Sequence, residues 1–282
     1  IYKAAAGENI NLSAATTFKT DNDSLSFTTA AIDMANNANL TINTGSGNIV
    51  LSDIHGVSAE TVDIDTSGTV SVAEIGNAGA TVEIADVDIN GSTITLNGAI
   101  VTDSDGDVTL TGNVALATGN ISIDTSAATA GTGGDVQITG TVEDDTNNRN
   151  LLIRTKEGVV TIGGLIGGND AIGTLTINDR AADTGNITLT GIGDSGGIGA
   201  TTVAIGNAKT AGTITLAGAD YHAGAQTYKA GTFAITGADP EFKATDLAIQ
   251  FLKDEVGEGD VVLSDTADLS VTSGNAAITF QG

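Results

Sequence analysis

The 282-residue chain reads as an all-β protein, and more narrowly as a right-handed parallel β-helix, one β-solenoid segment over residues 1–282. Three observations lead there. One short phrase is written many times: GDVTLTG (106–112), GDVQITG (134–140), GNITLTG (185–191), GTITLAG (212–218), GTFAITG (231–237) and GDVVLSD (259–265). Apolar residues alternate with polar ones at period two, the mark of strands with one buried face. Successive strands begin about 11 to 16 residues apart, too close for a crossover helix between them.

The strands can be read off in order. The amino-terminal part carries Ile10/Leu12, Leu25/Phe27, Leu40/Ile42, Val62/Ile64, Val82/Ile84 and Ile94/Leu96. The middle carries Val108/Leu110, Ile121/Ile123, Val136/Ile138, Leu175/Ile177 and Ile187/Leu189. Then come Val203/Ile205, Ile214/Leu216, Phe233/Ile235, Leu247/Ile249, Leu269/Val271 and Ile278/Phe280. Threonine takes outward positions, as at Thr174, Thr176, Thr188 and Thr215. Gly, Asn and Asp take the turns because they tolerate positive φ. The only helix candidate, residues 241–255, alternates at Leu247, Ile249 and Phe251 and is read as a strand. A short helix capping the rod is the other reading of that stretch.

Coils are preferred to hairpins because the phrase keeps its direction and its core residues are small. Type I′ hairpin signals are also few, Asn90-Gly91 and Asn97-Gly98 being the main ones. Repetition every 25–30 residues or so is the pattern of a repeat architecture. Two or three strands per coil give roughly ten coils and a rod of roughly 50 Å at about 4.8 Å per coil. An array of β-sandwiches is the alternative.

Composition narrows the function. Thirty-five acidic residues against ten basic ones leave a net charge of −25, which repels phosphate backbones and argues against nucleic acid and anionic membrane surfaces. No apolar run reaches the ~20 residues of a membrane span. The absence of cysteine excludes disulfides and thiolate metal sites. The chain starts at IYKAAAGENI and ends at AAITFQG, and we expect it to be part of a longer or processed protein.

The runs GNITLTG, GTITLAG and SDTADLSVTSGNAAITF (264–280) resemble the repeat regions of filamentous-haemagglutinin-like adhesins and giant bacterial surface proteins. The resemblance covers nearly the whole chain and rests on composition. It implies a long extracellular β-helical stalk. It carries over no binding residue.

Few constellations suit chemistry. In DSDGD, Asp103, Asp105 and Asp107 place three carboxylates around a glycine turn, and calcium is the one cofactor such a loop could hold. The EF-hand glutamate at position twelve is missing, and a solvated acidic turn is the preferred reading. KDEVGEGD, with Asp254, Glu255, Glu258 and Asp260, is a second acidic turn. DND (21–23) and EDD (143–145) are weaker ones. His55 and His222 are the two histidines. His55 reads as a turn residue and His222, in DYHAGAQTY, as a surface loop residue; with Asp220 and Tyr221 it could also form half of an acid/base site. No GxSxG elbow occurs. Three arginines, Arg149, Arg154 and Arg180, and no tryptophan make a poor sugar site.

The late aromatics could form a ligand patch, but a core stack of Phe233, Phe251 and Phe280 is preferred. DDTNNRN (144–150) reads as a projecting loop. The Asn-x-Ser/Thr sequons at Asn11, Asn39, Asn90, Asn120 and Asn186 mostly begin strands and read as turn chemistry. These readings lead us to expect a non-enzymatic structural rod of an extracellular adhesin or surface stalk. The alternatives are a self-assembling filament, sheath or surface-layer subunit, and a β-helical carbohydrate-active enzyme. Expected partners are further chain segments or further copies joined through strand edges, and a host or neighbouring cell surface.

Overall fold

The computed structural model describes residues 8–76, 84–103, 105–126, 132–207, 212–253, 260–263 and 268–281. Among them every regular element is a strand, and every pairing between named strands is parallel. The chain winds as a β-solenoid with three faces per coil. The first coils show the order plainly: Leu40–Asn43 lies on the first face, Ile49–Leu51 on the second, Ile54–His55 on the third. The first face runs as one ladder of eleven strands from Thr16–Lys19 to Asp260–Leu263. At about 4.8 Å per step that ladder is roughly 50 Å long.

Register turns the period-two pattern into stacked columns. On the first face Leu40, Val62, Val87 and Val108 lie over one another, and the column continues through Val136, Val160, Ile187, Ile214 and Phe233. On the third face Ile100, Ile123, Ile153, Ile177 and Ile205 stack, followed by Tyr228, Phe251 and Phe280. The inward residues as far as Phe251 are buried, and each meets its own kind above and below. This is how a sheet with one face in water can be parallel throughout. It closes on itself and needs no helical cover. Coil length is not constant. Ile214 to Phe233 is 19 residues and Val108 to Val136 is 28, yet the columns stay in line.

The repeated phrase has a physical cause at each of its positions. Its opening glycines stack: a Cβ on Gly134 would collide with the Gly106 carbonyl, one on Gly158 with that of Gly134, and one on Gly185 with that of Gly158. Its closing glycines do the same at Gly112, Gly140 and Gly164. The polar residue after the opening glycine reaches to the next coil. Asp107 Oδ1 accepts the Asp135 amide at 2.7 Å, Asp135 Oδ1 accepts that of Val159 at 2.7 Å, and Asn186 Oδ1 that of Thr213 at 2.8 Å. Inside the corner, buried Thr102, Thr125 and Thr155 donate to the carbonyls of Gly106, Gly134 and Gly158 at 2.7, 2.6 and 2.7 Å. The expectation that Asn and Asp take left-handed turns is met at Asn22, Asn37, Asn148, Asn178, Asp239 and Asp246.

Glu60 is a buried carboxylate with a structural task. Burial opposes its charge, but the amides of Ser58, Val57 and Asn37 donate to it at 2.9, 2.8 and 2.9 Å and hold its carboxyl below the usual glutamate range. A lowered folded value means its contribution is complete above the ordinary value of 4.5 and is lost as pH falls through the folded value. We expect Glu60→Gln to cost about 2 kcal/mol at neutral pH. In denaturant titrations the gap to the wild type should narrow on acidification below 4.5; a gap constant with pH would exclude the charge as its source.

The late aromatics form the carboxy-terminal core, as the stacking reading expects. Tyr228 and Phe251 stack at 5.2 Å, Phe251 and Phe280 at 5.0 Å, and Phe233 meets Phe251 edge-on at 5.7 Å. Phe233 and Phe251 are fully buried, whereas Phe280 is 49% exposed. Tyr221 and Tyr228 are buried too. Their polar tips are satisfied inside. Tyr221 Oη donates to Leu189 O at 3.0 Å, Tyr228 Oη to Gln226 Oε1 at 2.9 Å, and Gln226 Nε2 to the carbonyls of Tyr221 and Lys243. Burial pushes both phenols well above their ordinary value. Residues 241–255 hold no helix where described: Glu241–Lys243 and Ile249–Lys253 are strands, and Leu247 is exposed.

Candidate functional site

The acidic loop of the sequence reading lies where the first face begins a new coil. Asp103 Oδ1 accepts the Asp105 amide at 3.1 Å, an Asx turn. Asp105 Oδ1 accepts the Thr132 amide and hydroxyl at 3.1 and 3.2 Å. Asp107 belongs to the inter-coil ladder described above. Each carboxylate therefore has an oxygen engaged with backbone, and two of them serve the following coil. Burial, with Asp105 and Asp86 nearby, pushes the Asp103 carboxyl above the usual aspartate range. Asp254, Glu255 and Glu258 of the second acidic turn lie outside the described residues, and Asp260 begins a strand.

Other acidic and polar runs also serve the coil. Glu143 Oε2 accepts the amides of Asn169 and Asp170 at 3.1 and 3.0 Å, docking the glycine-rich turn of the next coil. The run 144–150 is tied down at its ends. Buried Asp144 accepts from the Arg149 amide at 2.7 Å and guanidinium at 2.8 Å, and Arg149 also pairs with Asp145. Arg154 forms a bidentate pair with Asp179 at 2.6 and 2.9 Å, and Arg180 pairs with Asp124 at 3.1 Å. All three arginines are thus engaged with carboxylates. Of the sequons, Asn39, Asn120 and Asn186 accept amides of the next coil, as the turn-chemistry reading expects.

One open groove of about 580 Å³ crosses five coils beside the stacked Gly91 and Gly112. Asp65, Ser67, Asn90, Ser92, Asn113 and Thr139 contribute its polar lining. No aromatic or arginine borders it, so it offers no stacking platform for a sugar ring.

The histidines differ from their sequence reading. His55 is on the strand Ile54–His55, with Nδ1 3.0 Å from Asp33 Oδ1. His222 is not a surface loop residue. It lies on the strand Asp220–Ala230 and is 2% exposed. The turn Asp194–Gly197, closed by an antiparallel bridge, carries its cover. Gly193 and Gly199 let that turn lie against the His222 backbone: Gly199 N donates to His222 O at 2.7 Å, and a Cβ on Gly193 would lie 2.7 Å from the same oxygen. His222 Nδ1 is 2.6 Å from Asp194 O. Its Nε2 is 3.0 Å from Glu241 Oε2 and 3.6 Å from Asp220 Oδ1. Asp220 and Glu241 are register partners on adjacent coils. Among the described residues these three are the group of His, Asp and Glu whose ligand atoms all lie within 4.8 Å of one another. Tyr221, which the sequence reading grouped with Asp220 and His222, is buried in the core instead. The sequence held Asp220 and His222 together but gave no sign of Glu241, 19 residues on.

Among the described residues no helix is long and apolar enough to cross a membrane. No family model, no curated protein and no solved structure matches the chain.

Proposed function

We propose that the chain is a non-enzymatic structural rod, a segment of an extracellular bacterial adhesin or surface stalk. The observation that carries this reading is the unbroken stack of columns from coil to coil. Nearly every strand uses its inward side chains for stacking and its backbone for the next coil, which is how a chain gains length rather than a pocket. The engaged arginines and the groove without aromatics support the same reading against sugar chemistry.

The test has two parts. Solution X-ray scattering of the purified chain should give an elongated particle near 50 Å, with the about 4.8 Å repeat along its long axis in oriented samples. On cells bearing the parent protein, protease added outside should remove the segment. A globular particle, protection from protease, or turnover of a polysaccharide would each overturn the proposal.

A further inference from the structure

We propose that Asp220, His222 and Glu241 form a binding site for a divalent transition metal of the zinc type, which fastens three consecutive coils at the start of the aromatic core. Four observations carry it.

The first is the tautomer. A backbone carbonyl only accepts, so at 2.6 Å from Asp194 O the His222 Nδ1 must carry the proton. Nε2 is then the ring nitrogen that faces the two carboxylates, and a cation in place of a proton there would join all three side chains. The second is the geometry. For bonds of about 2.1 Å the edge of a tetrahedron is about 3.4 Å, and the Nε2 distances of 3.0 and 3.6 Å to Glu241 and Asp220 bracket it. One nitrogen and two carboxylate oxygens suit zinc and its neighbours, while calcium and magnesium prefer oxygen alone.

The third is the support. Zinc-bound histidines typically give their other ring N–H to a carbonyl or carboxylate, the part Asp194 O plays here. The ring itself is held by backbone bonds on both sides, His222 N to Ile192 O and Gly199 N to His222 O, each 2.7 Å. The fourth is access. His222 is buried, but Asp220 and Glu241 are about one-third exposed at their side chains, leaving water a route to a fourth position. Ile192, Tyr221 and Phe242 are column partners on consecutive coils. A metal held there therefore ties the Asp194 turn and the two strands after it, next to the Tyr221–Phe242 stack at 4.7 Å.

The test starts from chelator-treated whole chain and titrates zinc by calorimetry, following the His222 ring nitrogens by NMR. We expect one tight zinc per chain, a rise in Tm, and a shift of Nε2 but not of a protonated Nδ1. Glu241→Gln and Asp220→Asn should each weaken zinc at least tenfold while the zinc-free Tm stays close to wild type; His55→Ala should change nothing. Calcium should not displace the zinc. Three results would overturn the site. They are a His222 ring that carries protons on both nitrogens at neutral pH and ignores zinc, zinc binding undiminished in both carboxamide variants, and a stoichiometry that falls only when surface carboxylates elsewhere are removed. Should His222→Ala fail to fold, the carboxamide variants still decide the question.

Discussion

Gly134→Ala should destabilise the rod by about 3 kcal/mol, the upper end of what overpacking costs. The added methyl falls on the Gly106 carbonyl, which is backbone and cannot swing aside. That carbonyl also accepts the Thr102 hydroxyl at 2.7 Å, so pushing it outward strains a buried hydrogen bond as well. Gly197→Ala is the matched control. Its Cβ would meet nothing within 4 Å, and its φ is not in the left-handed region. It should be neutral or gain a few tenths of a kcal/mol from the stiffer unfolded chain. Denaturant titration of the two variants measures the difference. Equal stabilities would mean that the glycine columns are not close-packed and that turn chemistry alone explains the repeated phrase.

The second large effect is expected at the carboxy-terminal core. Phe251→Ala should cost about 4 kcal/mol, as for other buried aromatics cut to alanine. The ring is fully buried, stacks on Tyr228 and Phe280, and meets Phe233 and Phe242 edge-on. Because coils touch only their neighbours, the loss should be local. Hydrogen exchange should speed up in Tyr228, Phe251 and Phe280 and their strands while Ile123 and Ile153, several coils away, keep their protection. A uniform loss of protection over the whole rod would show that it unfolds as one unit.

The strands, their direction and the aromatic stack were legible because each is written in neighbouring residues. Val136 and Ile138, two apart, declare a buried face by themselves, and the glycine after them declares the corner. What lies between coils was not legible. Nothing near His222 announces that a turn 28 residues earlier will cover it, so an ordinary histidine among small polar residues read as exposed. The acidic loop did stand out in sequence, yet its ties between coils did not. Asp103, Asp105 and Asp107 look like a cluster in sequence, but the coil sends Asp105 and Asp107 to the backbone of the next coil. Glu60 shows the same limit: its three amide partners come from two different turns. Coils of 19 to 30 residues share no single period from which such neighbours could be counted.

That unevenness separates two quantities that most folds bind together. Because the columns fix the pitch and the corners absorb the surplus, adding residues between faces widens the molecule without lengthening it, and only a whole new coil adds reach. A peptide grafted into the corner at residues 145–148, where Thr146 and Asn148 already take left-handed turns, should project sideways from an axis of unchanged length. The chain is in that sense a ruler whose graduations are set by hydrogen bonding, while its sideways ornament is free to vary from one graduation to the next.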